Sequence, residues 1–141
     1  MDGVSMTVTQ SWQRCCTAQF SVRWHAAGTV IAADGELDAA NADPLATYVQ
    51  RNTRHTRRVI LDLRGLEFIG TAGFSALHRI NVACSAAQVR WAMVPSAAVG
   101  RLLRVCDPDG TLPVVDPTEE PLLQPALWGD DQRRPLLQLV T

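Results

Sequence analysis

The chain has 141 residues, of which 47% are hydrophobic and 19% are charged, and its formal net charge at pH 7 is −1. A chain of this length suits one globular domain that folds without disulfides or a structural metal. The near-zero net charge excludes binding to nucleic acid or membrane that is driven by overall charge. All 13 basic residues are arginines, which excludes Schiff-base catalysis and the P-loop lysine.

The amino terminus and the cysteines both favour a cytoplasmic protein. Residues 1–5 carry no positively charged start followed by an apolar run, so no secretory signal is predicted. No stretch approaches eighteen consecutive apolar residues, which argues against a membrane span. The four cysteines are sparse, and we interpret them as reduced thiols: Cys15, Cys16, Cys84 and Cys106.

Alternating polarity predicts a β-hairpin near the start of the chain. Phe20, Val22 and Trp24 alternate with polar residues, which is typical of a half-buried strand, and Gly28 ends this pattern. Residues 29–33 then predict a second strand that pairs with the first.

Helices and strands alternate through the rest of the predicted domain. The nearly continuous apolar run of residues 58–63 is typical of an interior parallel strand. Apolar residues three and four apart indicate helices, and Ser96 is a possible helix cap. The predicted elements are helix 41–52, strand 58–63, helix 72–88, strand 89–94, helix 97–105 and strand 112–115. We therefore expect an α/β domain of order β-β-α-β-α-β-α-β, with helices packed against a mixed sheet of four to five strands.

Three regions are expected: an N-terminal segment at 1–18, the domain at 19–116 and a C-terminal tail at 117–141. Prolines recur through the tail and exclude a long helix there. Its apolar side chains, among them Leu122, Leu123, Leu127 and Trp128, could pack on the domain, and residues 136–140 could dock as a short strand or turn. The tail is therefore expected to be partly ordered.

The junction between the strand at 58–63 and the next helix, residues 64–74, holds three glycines and a hydroxyl, Thr71. A helix amino end has unpaired N–H groups and a positive dipole, which favour an anion or a phosphorylated hydroxyl. Gly65, Gly70 and Thr71 match the spacing of a nucleotide-binding loop, but its lysine is missing. Gly73 and Ser75 match part of a nucleophile elbow whose second glycine is absent. Both enzyme classes are therefore disfavoured.

Four spaced motifs, in this order, resemble the STAS domain of anti-sigma factor antagonists. They are residues 35–38 (GELD), 59–63 (VILDL), 68–74 (FIGTAGF) and 94–99 (VPSAAV). The resemblance runs from about residue 20 to 115 and implies a STAS-like fold, no enzymatic activity and no cofactor. It implies a partner switch that regulates transcription: the unphosphorylated protein captures an anti-sigma factor with a kinase-type fold, which frees the sigma factor. Phosphorylation reverses the capture, and we expect a monomer or weak dimer.

The resemblance also assigns candidate site residues. The family turn usually reads Asp-Ser-Ser/Thr-Gly, whereas this chain has Gly70-Thr71-Ala72-Gly73, so Thr71 is the candidate phosphoacceptor. Thr71 could instead be a helix N-cap without a regulatory role. The expected partner-binding residues are Glu36, Asp38, Gly70, Thr71, Ala72, Gly73, Phe74 and His78. Besides Thr71, four of them have open alternatives: turn chemistry for Glu36 and Asp38, burial for Phe74 and a solvated helix face for His78.

Two other functional hypotheses stay open. A STAS subunit of a lipid-transport ABC system can carry the same Thr-Ala-Gly turn and would support an ATPase. A constitutive or redox-controlled antagonist could use Cys84 and Cys106, although buried cysteines usually act as small apolar residues.

The remaining candidate clusters are a basic patch and the histidines. The patch could meet an acidic partner or be a solvated helix end, and it comprises Arg51, Arg54, His55, Arg57 and Arg58. His25, His55 and His78 lack ligand spacing, so no metal site is predicted.

Overall fold

The computed structural model describes residues 9–15, through their backbone, and residues 17–128. The elements are β1 (Thr9–Cys15), β2 (Ala18–His25), β3 (Gly28–Leu37), α1 (Ala42–Arg51), β4 (Arg58–Ile69), α2 (Thr71–Ala86), β5 (Arg90–Val94), α3 (Ala97–Cys106), a 3₁₀ turn (Pro121–Leu123) and α4 (Pro125–Trp128).

The strands form one mixed sheet in the order β1-β2-β3-β4-β5. The strands β1, β2 and β3 pair antiparallel, and Trp24 faces Thr29 across the β2–β3 hairpin. The strand β4 pairs parallel with both β3 and β5. The predicted fold class and the predicted hairpin are thereby confirmed.

Two parts of the sheet differ from the sequence prediction. The strand β1, which was not predicted, pairs with β2 over its whole length, although its sequence TQSWQRC lacks a clear apolar alternation. An edge strand needs only backbone hydrogen bonds to join a sheet, so its side chains give a weak signal. Conversely, the predicted strand 112–115 is reduced to a single bridge between Met93 and Val114. Pro113 has no N–H group and cannot extend this ladder.

Helices α1, α2 and α3 pack against one face of the sheet and form the main core. Its largest fully buried side chains include Phe20, Ile31, Leu61 and Leu77. Burying each such side chain contributes roughly 1.5–3 kcal/mol. The predicted cap of α3 is confirmed, since the Ser96 hydroxyl accepts a hydrogen bond of 3.1 Å from Val99 N.

A C-terminal cover, residues 117–128, packs on the second face of the sheet. Leu122 and Trp128 are each 2% exposed and form a second apolar cluster with Val30, Ile60, Ala92 and Val94. Trp128 Nε1 donates a 2.7 Å hydrogen bond to the Leu122 carbonyl, and the Arg23 guanidinium lies 4.0 Å from the centre of the Trp128 ring. Leu123 and Leu127 are partly buried here, whereas residues 136–140 lie outside the described residues.

The junction before α2 is shorter than the sequence predicts, because β4 continues to Ile69. Gly65 lies within this strand beside Asp34, and a Cβ atom at Gly65 would stand 1.7 Å from Asp34 Oδ1. Only Gly70 separates β4 from α2, which begins at Thr71 rather than Ala72. In the part of the chain that the structure describes, no helix has the length and apolar character needed to span a membrane.

Candidate functional site

The ends of β3 and β4 bring the predicted site residues together. Both strands run parallel and end side by side, with Leu37 facing Ile69. Gly70 N then donates a 2.9 Å hydrogen bond to the Leu37 carbonyl. Glu36 and Asp38, on either side of Leu37, therefore lie next to the Gly70–Thr71 turn.

Thr71 is the first residue of α2, and it is exposed. The N-cap is Gly70, whose extended backbone has φ −93° and ψ −179°, and among residues 17–128 no side chain caps this helix. The interpretation of Thr71 as an N-cap is therefore wrong, because the cap lies one residue earlier. The Thr71 hydroxyl stands at the positive end of the α2 dipole and is not used to hold the helix start.

The two glycines of the turn have different surroundings. A Cβ atom at Gly73, which is buried, would lie 2.5 Å from Ile69 Cγ1 and 3.1 Å from Leu37 Cδ2. Glycine at this position lets α2 pack closely on the ends of β3 and β4. Among the described residues beyond its chain neighbours, a Cβ atom at Gly70 would meet the Phe68 ring alone, at 3.7 Å, which is an ordinary contact.

The loop between β3 and α1 is held by a residue that the sequence analysis missed, Asn41. Its fully buried side chain donates from Nδ2 to the Glu36 carbonyl and accepts from Asp38 N, both at 2.9 Å. Asp38 Oδ1 accepts a 2.9 Å hydrogen bond from Ala40 N, so this carboxylate serves turn chemistry, as one alternative predicted. Glu36 is exposed beside the turn. The available signal for Asn41 was a polar residue at the first position of the predicted helix 41–52.

Aromatic side chains flank the turn on both sides. Phe68, which is 50% exposed, neighbours Glu36 in the strand register. Phe74 is half-buried against the core, and its ring stacks at 6.2 Å on the exposed His78. Phe74 is therefore partly buried, as one alternative predicted, and partly available to a partner, as the other predicted. Sequence reasoning missed Phe68 because it ended the strand at residue 63, whereas β4 continues to Ile69.

Acidic residues follow β3 and β4 toward the turn, from the middle of the sheet to the end of β3, and we call them the acidic rim: Asp34, Glu36, Asp38 and Asp62. Partial burial raises the pKa of Asp34, and the nearby Asp62 carboxylate raises this pKa further. Arg64 binds Asp62 through two hydrogen bonds of 2.9 and 2.8 Å. A further negative charge at the Gly70–Thr71 turn would be repelled by the nearest members of the rim, Glu36 and Asp38.

The cysteine pair gains no support as a redox switch. Cys84 and Cys106 are both free thiols, and burial raises the pKa of the Cys84 thiol to about 11. Because the thiolate is the reactive form, Cys84 is a poor nucleophile at neutral pH. No three His, Cys, Asp or Glu side chains of the described residues are arranged to hold a metal ion.

The order of the strands and helices agrees with comparisons against known proteins. Residues 20–120 match the family model of the STAS domain. The chain belongs to the STAS domain family. The STAS resemblance of its sequence motifs is thereby confirmed.

Two curated relatives of this STAS domain come from Mycobacterium tuberculosis. Osmosensory protein A is 39% identical over 82 residues, which cover 58% of this chain and 52% of that protein. The chain therefore spans about half the length of this relative. The anti-sigma-F factor antagonist RsfA is 29% identical over 106 residues, which cover 72% of this chain and 83% of that protein.

Solved structures share the STAS fold at low sequence identity. An anti-sigma factor antagonist from Mycobacterium paratuberculosis has a TM-score of 0.57 at 19% identity, over 75% of this chain and 85% of that one. The unphosphorylated form of the anti-sigma factor antagonist SpoIIAA has a TM-score of 0.58 at 16% identity, over 71% of this chain and 90% of that one. At these identities the likeness establishes the fold.

Proposed function

We propose that this STAS protein is an anti-sigma factor antagonist, a non-enzymatic regulator that acts in the cytoplasm. In this proposal it captures an anti-sigma factor of the serine-kinase type and so releases a sigma factor. The name of the relative RsfA supports the class of function. The observation that carries the switch is the exposed Thr71, which follows Gly70 at the end of the sheet where Glu36 neighbours the exposed Phe68.

The proposed docking surface comprises the end of β3, the Gly70 turn and the first turns of α2. Phe68 supplies apolar area there, and half-exposed aromatic rings are typical of interface anchors. Glu36 and His78 supply polar groups for contact with the partner beside Phe68. The packing of Gly73 on Ile69 and the Asn41 hydrogen bonds hold this surface in one shape before a partner binds.

Phosphorylation of Thr71 would weaken binding without unfolding the domain. The phosphate adds a charge of about −1.5 to −2. At the amino end of α2 this charge is favourable for the helix dipole, so the fold tolerates it. Beneath a docked partner the same charge must lose water beside Glu36 and against apolar contacts, which disfavours the complex.

A pull-down from the native cytosol tests the proposal, with wild-type protein, Thr71→Glu and Thr71→Val as baits. Bound proteins are identified by mass spectrometry, and Thr47→Glu is the matched control, since Thr47 is an exposed threonine within α1. We expect wild type, Thr71→Val and Thr47→Glu to recover an anti-sigma factor of kinase type, and Thr71→Glu to lose it. Recovery of a transporter ATPase instead would overturn the function.

A phosphorylation assay with the recovered partner and ATP tests the residue itself. Phosphopeptide mapping should place the phosphate on Thr71, and Thr71→Val should accept none. Phosphate on another residue, or an anti-sigma factor held equally by wild type and Thr71→Glu, would remove Thr71 from the mechanism.

A further inference from the structure

A groove lies at the end of the sheet opposite Thr71. It is formed by the β2–β3 hairpin, residues 24–29, and by the loop from α1 to β4, residues 52–57, and it holds a cavity of about 460 Å³. A second cavity of about 310 Å³ shares Trp24, His55 and Thr56 with the first. We call the two together the hairpin groove. Their volumes fall in the range of small-molecule sites.

The hairpin groove is lined by positive charge. Arg57 lines the first cavity, Arg51 and Arg54 line the second, and all three are exposed. No carboxylate belongs to the described residues that line either cavity. The neighbouring Arg58 is neutralised by its ion pair with Glu120. No ion pair of the described side chains involves Arg54 or Arg57. The guanidinium group of arginine binds phosphate and carboxylate groups.

An aromatic surface and a further donor complete the groove. Trp24 is half-buried and lines both cavities, so part of its ring is available to a flat apolar group. His25 Nδ1 accepts a 2.9 Å hydrogen bond from Ala27 N. The neutral His25 ring therefore carries its proton on Nε2, which makes it a donor.

We propose that the hairpin groove binds a small organic anion that carries a planar ring. The ring packs on Trp24, and the phosphate or carboxylate group binds Arg54 and Arg57. The groove lies at the start of β4 and Thr71 follows its end, roughly 35 Å away at about 3.3 Å per strand residue. Ligand binding here is therefore separate from partner capture and does not depend on the proposed function.

Isothermal titration calorimetry of the full chain tests this site with three probes: ATP, adenosine and pyrophosphate. We expect ATP to bind saturably, and adenosine and pyrophosphate to bind at least tenfold more weakly, because each lacks the ring or the charge. The double variant Arg54→Ala/Arg57→Ala should weaken ATP binding at least tenfold. The matched control is Arg101→Ala/Arg104→Ala, which removes two exposed arginines of α3 and should stay within twofold of wild type.

The ring subsite has its own test in Trp24. Trp24→Leu should lose most ATP binding and Trp24→Phe should retain it, with circular dichroism to confirm that each variant folds. Pyrophosphate binding as tight as ATP binding, or ATP binding that is unchanged in the double arginine variant, would overturn the proposal. Absence of saturable binding by both ATP and indole-3-acetate, an aromatic carboxylate, would overturn it as well.

Discussion

Glu120 forms an ion pair with Arg58 although only 3% of the Glu120 side chain is exposed. Its second carboxylate oxygen accepts a 3.1 Å hydrogen bond from Leu122 N. A buried carboxylate without such partners is strongly unfavourable. The pair therefore fastens the C-terminal cover to the start of β4, where Leu122 enters the second apolar cluster.

Removal of the Arg58 side chain should destabilise the protein through Glu120. Breaking a buried pair costs about 3–5 kcal/mol, but Arg58 is 30% exposed, so we expect Arg58→Ala to lower the free energy of unfolding by about 2 kcal/mol. The control is Arg64→Ala, whose pair with Asp62 is more exposed and should cost less than about 1 kcal/mol. Urea denaturation measures both, and equal losses would contradict the role of Glu120.

The close contact of Gly73 with Ile69 predicts opposite effects of alanine at two helical glycines. Gly73→Ala forces a Cβ atom against Ile69 and should cost about 1–3 kcal/mol of unfolding free energy. At Gly100, in α3, a Cβ atom would meet none of the described residues within 4 Å beyond its own helix turn, so Gly100→Ala should stabilise the protein by about 0.5–1 kcal/mol. Thermal or urea denaturation measures both variants, and a change of the unfolding free energy in the same direction for both would disprove the prediction.

Thiol labelling tests the inert character of Cys84. Because burial raises the pKa of this thiol to about 11, we expect iodoacetamide to leave Cys84 unmodified in the native protein at pH 7.5. The half-exposed Cys106 should react, and denaturant should make both react. Peptide mass spectrometry resolves the two sites. Native labelling of Cys84 at the rate of Cys106 would revive the redox hypothesis.

The acidic rim predicts a pH effect on stability. Since burial and Asp62 raise the pKa of folded Asp34 above 3.8, the unfolded chain loses this proton first as pH rises, and stability falls. Asp34→Asn should therefore raise Tm at pH 7, with the difference from wild type shrinking as pH falls below 3.8. Asp116 is a control of opposite sign, because hydrogen bonds from Thr118 lower its pKa. Asp116→Asn should lower Tm at pH 7. Scanning calorimetry across pH 3–7 measures both variants, and Tm changes of the same sign in the two would contradict the prediction.

The strands and helices were predictable where one face is buried, because apolar residues then recur at a regular spacing in the sequence. The alternation at Phe20 and Val22 predicted the hairpin, and the apolar run of residues 58–63 predicted the interior strand. Both signals arise because these strands pack side chains into the core. The strand β1 was missed since an edge strand is held by backbone pairing. The end of α2 was placed two residues late because Gln88, at φ 59°, occupies the left-handed position where glycine is usual.

The candidate site was predictable in part, because its motif is contiguous. Residues 70–74 could be singled out from the sequence, but their surroundings depend on tertiary contacts. Phe68 and Asn41 act through the parallel register of β3 and β4 and through a loop hydrogen bond, which local sequence does not encode. The cap at Gly70 likewise depends on how Leu37 meets the turn.

A side chain has room at Gly70 but not at Gly73, and this difference affects which mutations the chain can accept. Glycine and aspartate codons differ by one base, and Gly70 already has extended backbone angles and room for a side chain. An aspartate could arise there in a single mutational step and would cap α2 at once. Gly73 permits no comparable step without a shift of the helix. The cap residue of α2 can therefore change by a single mutation, whereas the close packing of the helix at Gly73 resists change.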